Sequence, residues 1–137
     1  MIRLGRMAAY AWAGPYSVLG LAVGVLGLAT GSRVNRQQGT LEFCGGRLGR
    51  LATRLPAPFN FSAITLGHVI LATDAVTLSA VRAHERVHVR QYQRWGILFV
   101  PAYLASSLLQ LLLGRRPYMD NHFEREAYGP AGKGPRR

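Results

Sequence analysis

The sequence predicts an α+β protein with an N-terminal membrane helix, a small antiparallel β-meander and a mostly helical C-terminal half. Three observations support this fold class. Residues 7–30 carry no charge, residues 37–73 alternate short apolar runs with Gly and Pro, and residues 78–95 contain neither Gly nor Pro. A chain of 137 residues is long enough for one domain with an added anchor.

The uncharged N-terminal segment can cross a hydrocarbon core of about 30 Å as one helix. Arginines flank it, aromatic residues cluster near its start, and Gly20 and Gly24 form a G-x-x-x-G pair that allows close helix packing in a bilayer. Its apolar stretch exceeds that of an ordinary signal peptide, so residues 1–32 are predicted to be an uncleaved transmembrane anchor. A cleaved signal peptide and a buried helix of a soluble fold are the alternatives.

The next segment has the pattern of short strands and turns. Residues 40–44 alternate in polarity and precede Gly45-Gly46, whereas residues 63–71 are rich in β-branched side chains and read as one strand. Between them, regularly spaced leucines indicate a short helix or an irregular strand that Pro56 and Pro58 end. We therefore predict a small antiparallel β-meander.

One predicted helix, residues 78–95, carries His84-Glu85-Arg86-Val87-His88, an H-E-x-x-H motif. Histidines four positions apart share a helix face, so both imidazoles can reach one metal ion about 2 Å away. We predict that His84 and His88 bind Zn²⁺, and that Glu85 takes the proton of a zinc-bound water as it attacks a peptide carbonyl. The alternative is an amphipathic helix whose histidines satisfy polar groups of the core. The opposite helix face carries Arg82, Arg86, Arg90 and Arg94.

A catalytic zinc needs a third protein ligand and an open fourth position. Cys44, the only cysteine, lies alone and far upstream, so a thiolate ligand is not expected. The downstream residues that could donate are Asp120, His122, Glu124 and Glu126. The alternative for this stretch is a charged, solvated terminal helix.

The run Glu124-Arg125-Glu126-Ala127 matches the pattern E-x-x-A. With the H-E-x-x-H helix, it makes residues 62–128 resemble the gluzincins, in particular small membrane-associated proteins such as the minigluzincins. The resemblance implies that Glu124 is the third zinc ligand, with Glu126 close enough to compete. Tyr128 stands where the family has an aspartate. The resemblance also implies that an edge strand within residues 63–71 pairs with an extended peptide substrate.

A second uncharged stretch, residues 97–113, raises a topological constraint. If it crossed a bilayer, His84 and Glu124 would lie on opposite sides and could not share one ion. We therefore predict that the H-E-x-x-H helix belongs to a helical hairpin with residues 102–113 as the return arm, followed by the C-terminal glutamate helix. Gly96 and Pro101 would form the turn. Whether residues 97–113 dip into one leaflet stays open.

These predictions give three regions: an anchor at 1–32, a zincin-like metallopeptidase domain at 33–128 and a disordered basic tail at 129–137. We expect a membrane-tethered zinc metalloendopeptidase acting on peptide or protein substrates. More arginines follow the anchor than precede it, which favours a cytoplasmic catalytic domain. Oxyanion or outer-shell candidates are Tyr92, His122 and Tyr128.

The net charge of +11 supports a second interpretation, a non-catalytic basic adaptor that binds anionic lipid or nucleic acid. No nucleic-acid-binding motif is visible, so membrane lipid is the expected partner and nucleic acid is not. A metal-stabilised structural module is a third interpretation, but Glu85 argues against it because a structural site needs no base. No nucleotide-binding motif is present either, and the sequence does not determine the oligomeric state.

Overall fold

The computed structural model describes residues 2–56 and 62–129 and has a mixed α+β fold, as predicted. A 3-10 turn, Gly96–Leu98, joins the helices Ala75–Trp95 and Phe99–Leu112. The predicted disordered tail lies outside the described residues except for Gly129, and so does Pro58. In chain order the elements are α1 (Ile2–Trp12), α2 (Gly14–Ala29), β1 (Arg33–Gln37), β2 (Thr40–Cys44), α3 (Gly46–Arg54), β3 (Ala63–Leu66), β4 (Val69–Ala72), α4 (Ala75–Trp95), α5 (Phe99–Leu112) and α6 (His122–Tyr128).

The four strands form one mixed sheet in the order β1-β2-β4-β3. The β1–β2 and β3–β4 pairs are antiparallel, but β2 and β4 are parallel, so the prediction of an antiparallel meander is wrong for the sheet as a whole. The reason lies between β2 and β3, where α3 carries the chain away from the sheet. Parallel neighbours need such a crossover, whereas a meander needs only tight turns.

The stretch predicted as one strand, residues 63–71, is a hairpin. Gly67 has a φ of +61°, a conformation that favours glycine and turns β3 into β4. Just before the hairpin, the carbonyl of Ser62 accepts a hydrogen bond from the amide of Thr73. Because the bonding direction alternates along an antiparallel ladder, Ala63 and Thr65 point their backbone groups to the free edge. The edge strand that the sequence predicts is therefore β3.

Helices cover both faces of the sheet. On one side, Ile70 and Ala72 pack with Leu78 and Val89 of α4. On the other side, Phe43, Val69 and Leu71 form a second apolar cluster beside α2. Asp74 caps α4, since its carboxylate accepts a 2.7 Å hydrogen bond from the amide of Thr77. The capped end fixes the register of α4 over the sheet.

The N-terminal segment is two helices rather than the single predicted one. The axes of α1 and α2 differ by 69°, with Pro15 in the first turn of α2. The glycine face of α2 packs on the sheet: an added Cβ at Gly20 would lie 2.8 Å from Cβ of Val69, and one at Gly24 would lie 2.5 Å from the Phe43 ring. The G-x-x-x-G pair thus serves helix–sheet packing, and the outer face of α2 stays exposed with Val18, Leu19, Val25 and Leu26.

The predicted helical hairpin is also wrong. Gly96, with a φ of +55°, ends α4, but the chain continues through the 3-10 turn into α5 and forms one helical run, Ala75–Leu112. Among the described residues, this run is the one helix that is long and apolar enough by itself to cross a membrane. Its arginines and Glu85 lie in α4, which confines the apolar part to α5. The chain returns later, because α6 contacts α4 more extensively than α5 does.

Candidate metal centre

Three buried side chains from two helices meet at one point. His84 and His88 come from α4 and Glu124 from α6. Nε2 of His84 lies 3.0 Å from Oε2 of Glu124, and Nε2 of His88 lies 3.3 Å from Oε1. The two Nε2 atoms are 3.2 Å apart. We call these three residues the metal triad.

The triad's spacing suits a metal ion. Nitrogen and oxygen ligands at about 2.0–2.2 Å from a tetrahedral zinc lie about 3.3–3.5 Å from one another. The three separations, 3.0, 3.2 and 3.3 Å, reach or closely approach that range. The group could therefore bind a metal ion with only small side-chain shifts.

The position of Glu124 depends on how α6 begins. Asn121 is fully buried and caps α6 by accepting a hydrogen bond from the amide of Phe123. Its side-chain nitrogen donates to the carbonyl of Tyr103 at 2.9 Å and to Oγ of Ser107 at 2.7 Å. The cap therefore ties the first turn of α6 to α5 and directs Glu124 towards α4.

Glu126, the predicted competitor, lies elsewhere. Its Oε1 accepts hydrogen bonds from Arg94 and from Gln91, both at 3.2 Å. Two residues along a helix turn a side chain by more than half a circle, so Glu124 and Glu126 cannot face the same point. The structure brings Glu124 to the histidines and uses Glu126 to hold α6 on the outer side of α4.

Electrostatics keep the triad's carboxylate ionised. Burial opposes ionisation of Glu124, but hydrogen bonds from His84 and His88 outweigh it and lower its pKa to about 2. For His88 burial favours the neutral form, and the hydrogen bond and charge of Glu124 outweigh it, so its pKa is raised. An anionic oxygen between two imidazoles is the donor set that a divalent cation needs.

Two hydrogen bonds from outside the triad orient its members. Nδ1 of His88 lies 2.8 Å from Oε1 of Gln91, and the hydroxyl of Tyr103 donates to Oε1 of Glu124 at 2.8 Å. Sequence reasoning missed both partners. The contact of Gln91 could have been predicted, because Gln91 follows His88 by three positions and lies on the same face of the predicted helix. The contact of Tyr103 could not, because it depends on how α5 and α6 pack.

His84 has a different environment. Its Nδ1 is buried and has no hydrogen-bond partner within residues 2–56 and 62–129. The ring of Tyr128 packs on its imidazole with centroids 4.3 Å apart. The tilted ring of Tyr128, itself half-exposed, covers one side of the His84 imidazole.

The predicted base, Glu85, is buried beside the sheet edge. Oε2 of Glu85 accepts a 2.6 Å hydrogen bond from Oγ1 of Thr65, a residue of the edge strand β3. Burial lowers the pKa of His88, and the hydrogen bond and charge of Glu124 raise it. The charge of Glu85 raises it further, by less than Glu124 does. The structure therefore groups the carboxylate, one histidine and the strand edge in the same region.

Tyr92 and His122, two of the predicted oxyanion or outer-shell residues, have other surroundings. The hydroxyl of Tyr92 donates to the carbonyl of Thr65 at 3.1 Å, and its ring lies in a buried aromatic cluster with Phe99 and Phe123. His122 is exposed on α6. Of the three oxyanion candidates, only Tyr128 contacts a triad member.

The arginine face of α4 is partly engaged by the sheet. Nε of Arg82 donates to Oε2 of the fully buried Glu42 at 2.8 Å, and Arg86 donates to the side chains of Gln37 and Gln38. Arg90 is exposed. This face is therefore less open to phosphates than its sequence pattern indicates.

Comparisons with protein-family models, with curated proteins and with solved structures find no match to this chain.

Proposed function

We propose that the protein is a membrane-associated zinc metallopeptidase of the gluzincin type. The observation that carries the proposal is the meeting of both histidines of H-E-x-x-H with Glu124, which lies 36 residues after His88. Two histidines and one glutamate form a donor set of catalytic zinc that leaves a fourth position for substrate or water. The adjacent glutamate of the same motif favours catalysis over a purely structural site.

When bound, zinc supplies Lewis-acid chemistry: it polarises a peptide carbonyl and makes water more acidic. Glu85 accepts the proton of the attacking water and passes it to the leaving amine. Thr65 holds Oε2 of Glu85, so Oε1 is the oxygen that takes the proton. Gln91 and Tyr103 hold His88 and Glu124 in the ligating orientation.

The substrate is an extended peptide that pairs with the free edge of β3. Ala63 points both its amide and its carbonyl to this edge, and Thr65 points its amide there. The carbonyl of Thr65 already accepts the hydroxyl of Tyr92. The pairing would bring the scissile bond past Glu85, because the same Thr65 contacts that carboxylate.

Membrane attachment is part of the proposal. The N-terminal segment is the proposed anchor; because the glycine face of α2 packs on the sheet, its exposed apolar outer face is the surface that would contact lipid, with the catalytic domain on the cytoplasmic side. The zinc site and the C-terminal helix must lie on the same side, since one ion contacts both.

The test is the purified full-length chain in detergent, assayed for bound zinc and for cleavage of a peptide library. Replacing Glu85→Gln should leave the zinc content unchanged and lower the cleavage rate by about 10²–10⁴-fold, because glutamine cannot accept the proton. Glu126→Gln is the matched control and should cleave at the wild-type rate. A zinc-loaded wild-type protein that cleaves no peptide, or a Glu85→Gln variant as fast as wild type, would contradict the proposal.

A further inference from the structure

Helix α5 has two faces of opposite character. Positions 103, 106, 107 and 110 share one face, which contacts α6 and the loop before it. The other face carries large apolar side chains that are between 56 and 75% exposed. We call this second set the leucine face: Leu104, Leu108, Leu111 and Leu112.

The loop after α5 runs back along its polar face. Oγ of Ser107 donates to the carbonyl of Pro117 at 2.9 Å, and Arg115 reaches the side chain of Gln110 at 3.5 Å. In the same loop, Arg116 pairs with Asp120 at 3.1 Å. If α5 crossed a bilayer, these charged side chains would lie beside it in hydrocarbon, which is costly. The helix therefore does not suit a membrane span, despite its apolar composition.

We propose that α5 lies parallel to the membrane plane and inserts its leucine face into one leaflet of an anionic lipid bilayer. A helix with one broad apolar face and one polar face is the form that binds at a membrane interface. Arg115 and Arg116 follow the leucine face directly and can reach lipid phosphates. The inference refines the membrane association in the proposed function and does not depend on zinc or catalysis.

The ends of α5 support a lipid occupant over a protein one. Trp12 and Trp95, the only tryptophans of the chain, are both exposed at the start of α5, and the Trp12 indole lies against Gly96. Tryptophan favours the interface between headgroups and hydrocarbon. The chain's net charge of +11 is complementary to an anionic leaflet. The tryptophans at its start and Arg115 and Arg116 after its end would place both ends of α5 at headgroup level.

The first test is co-sedimentation of the full-length chain with vesicles of phosphatidylcholine, with and without phosphatidylglycerol. Leu108→Glu and Leu112→Glu should each weaken binding roughly tenfold or more, since each puts a charged side chain in place of an exposed leucine that the bilayer would bury. Val76→Glu is the matched control, because Val76 is 82% exposed at the start of α4 and should not change binding. Arg115→Gln should weaken binding by about fivefold, and only to anionic vesicles.

The second test measures how deeply α5 itself enters the bilayer. It is needed because the N-terminal segment could by itself bind the chain to vesicles. In a Cys44→Ser background, Leu104→Cys, Leu108→Cys and Leu112→Cys are labelled with an environment-sensitive fluorophore, and brominated lipids quench it at known depths. Equal, shallow depths for the three labels support insertion in the plane. A depth that increases steadily along the helix would show a span, and unquenched labels on a chain that dimerises would show a protein partner; either result overturns the proposal. Zinc content and cleavage, measured on the same samples, report separately on the metal site.

Discussion

Two buried carboxylates lie on opposite sides of α4, and their partners differ. Glu42 of β2 is 0% exposed and pairs with Arg82 at 2.8 Å. Glu124 of α6 is 4% exposed and lies 3.0 and 3.3 Å from His84 and His88. Both pairs join α4 to another element. They differ in the chemistry of the nitrogen that faces the carboxylate.

A guanidinium offers only donors and keeps its proton, so the Glu42–Arg82 pair can do nothing but hold β2 to α4. An imidazole can lose its proton and offer a lone pair, so the Glu124 pair can exchange a shared proton for a metal ion. One buried carboxylate is thus suited to stability and the other to ligation. The following predictions test this difference, from the largest expected effect to the smallest.

Replacing His84→Ala should abolish stoichiometric zinc binding, because two ligands cannot hold the ion as three do. Metal content of the purified chain measures this directly. His122→Ala is the matched control, since His122 is exposed and should keep full zinc content. If the His84→Ala protein kept its full zinc content, the metal triad would not be the zinc site.

Glu124→Gln should weaken zinc binding more than the roughly 10–100-fold typical of a partner outside the ligand set. Glu126→Gln, two residues away and bonded to Arg94, should leave the affinity near that of the wild type. A competitive titration with a chromogenic chelator compares the two variants. The reverse order would assign the third ligand to Glu126.

Arg82→Ala should lower the free energy of unfolding by about 3–5 kcal/mol while the zinc content stays unchanged, because it leaves the charge of Glu42 buried without its partner. Arg90→Ala, at an exposed position on the same helix, should change the stability by less than about 0.5 kcal/mol. Denaturant unfolding of the detergent-solubilised proteins gives both values. If Arg82→Ala lost its zinc without losing stability, the two sides of α4 would not differ as proposed.

Tyr103→Phe should weaken zinc binding by about 10–100-fold, because it removes the hydroxyl that holds Oε1 of Glu124. Tyr118→Phe is the control: its hydroxyl contacts Tyr128 at 3.2 Å rather than a triad member. Equal affinities for Tyr103→Phe and the wild type would show that Glu124 needs no such support.

The sequence by itself determined the local part of the candidate site. Histidines four positions apart share a face of any α-helix, whatever surrounds it, so the meeting of His84 and His88 follows from spacing alone. The β-branched residues of 63–71 indicated a strand, whereas the choice of Glu124 over Glu126 and the edge position of that strand came from the resemblance to the gluzincins. The shared histidine face and the strand depend on backbone geometry within one element, which nearby residues control.

Only the tertiary structure decided how the elements face one another. The parallel pairing of β2 with β4, the seating of Gly20 and Gly24 on the sheet and the contact of Tyr103 with Glu124 each join segments far apart in the chain. The same apolar pattern serves a membrane helix and a helix packed on a sheet, because both need only an uncharged face. The spacing of apolar residues does not show whether lipid or the sheet covers the apolar face of the helix, because the packing of the whole chain decides between them.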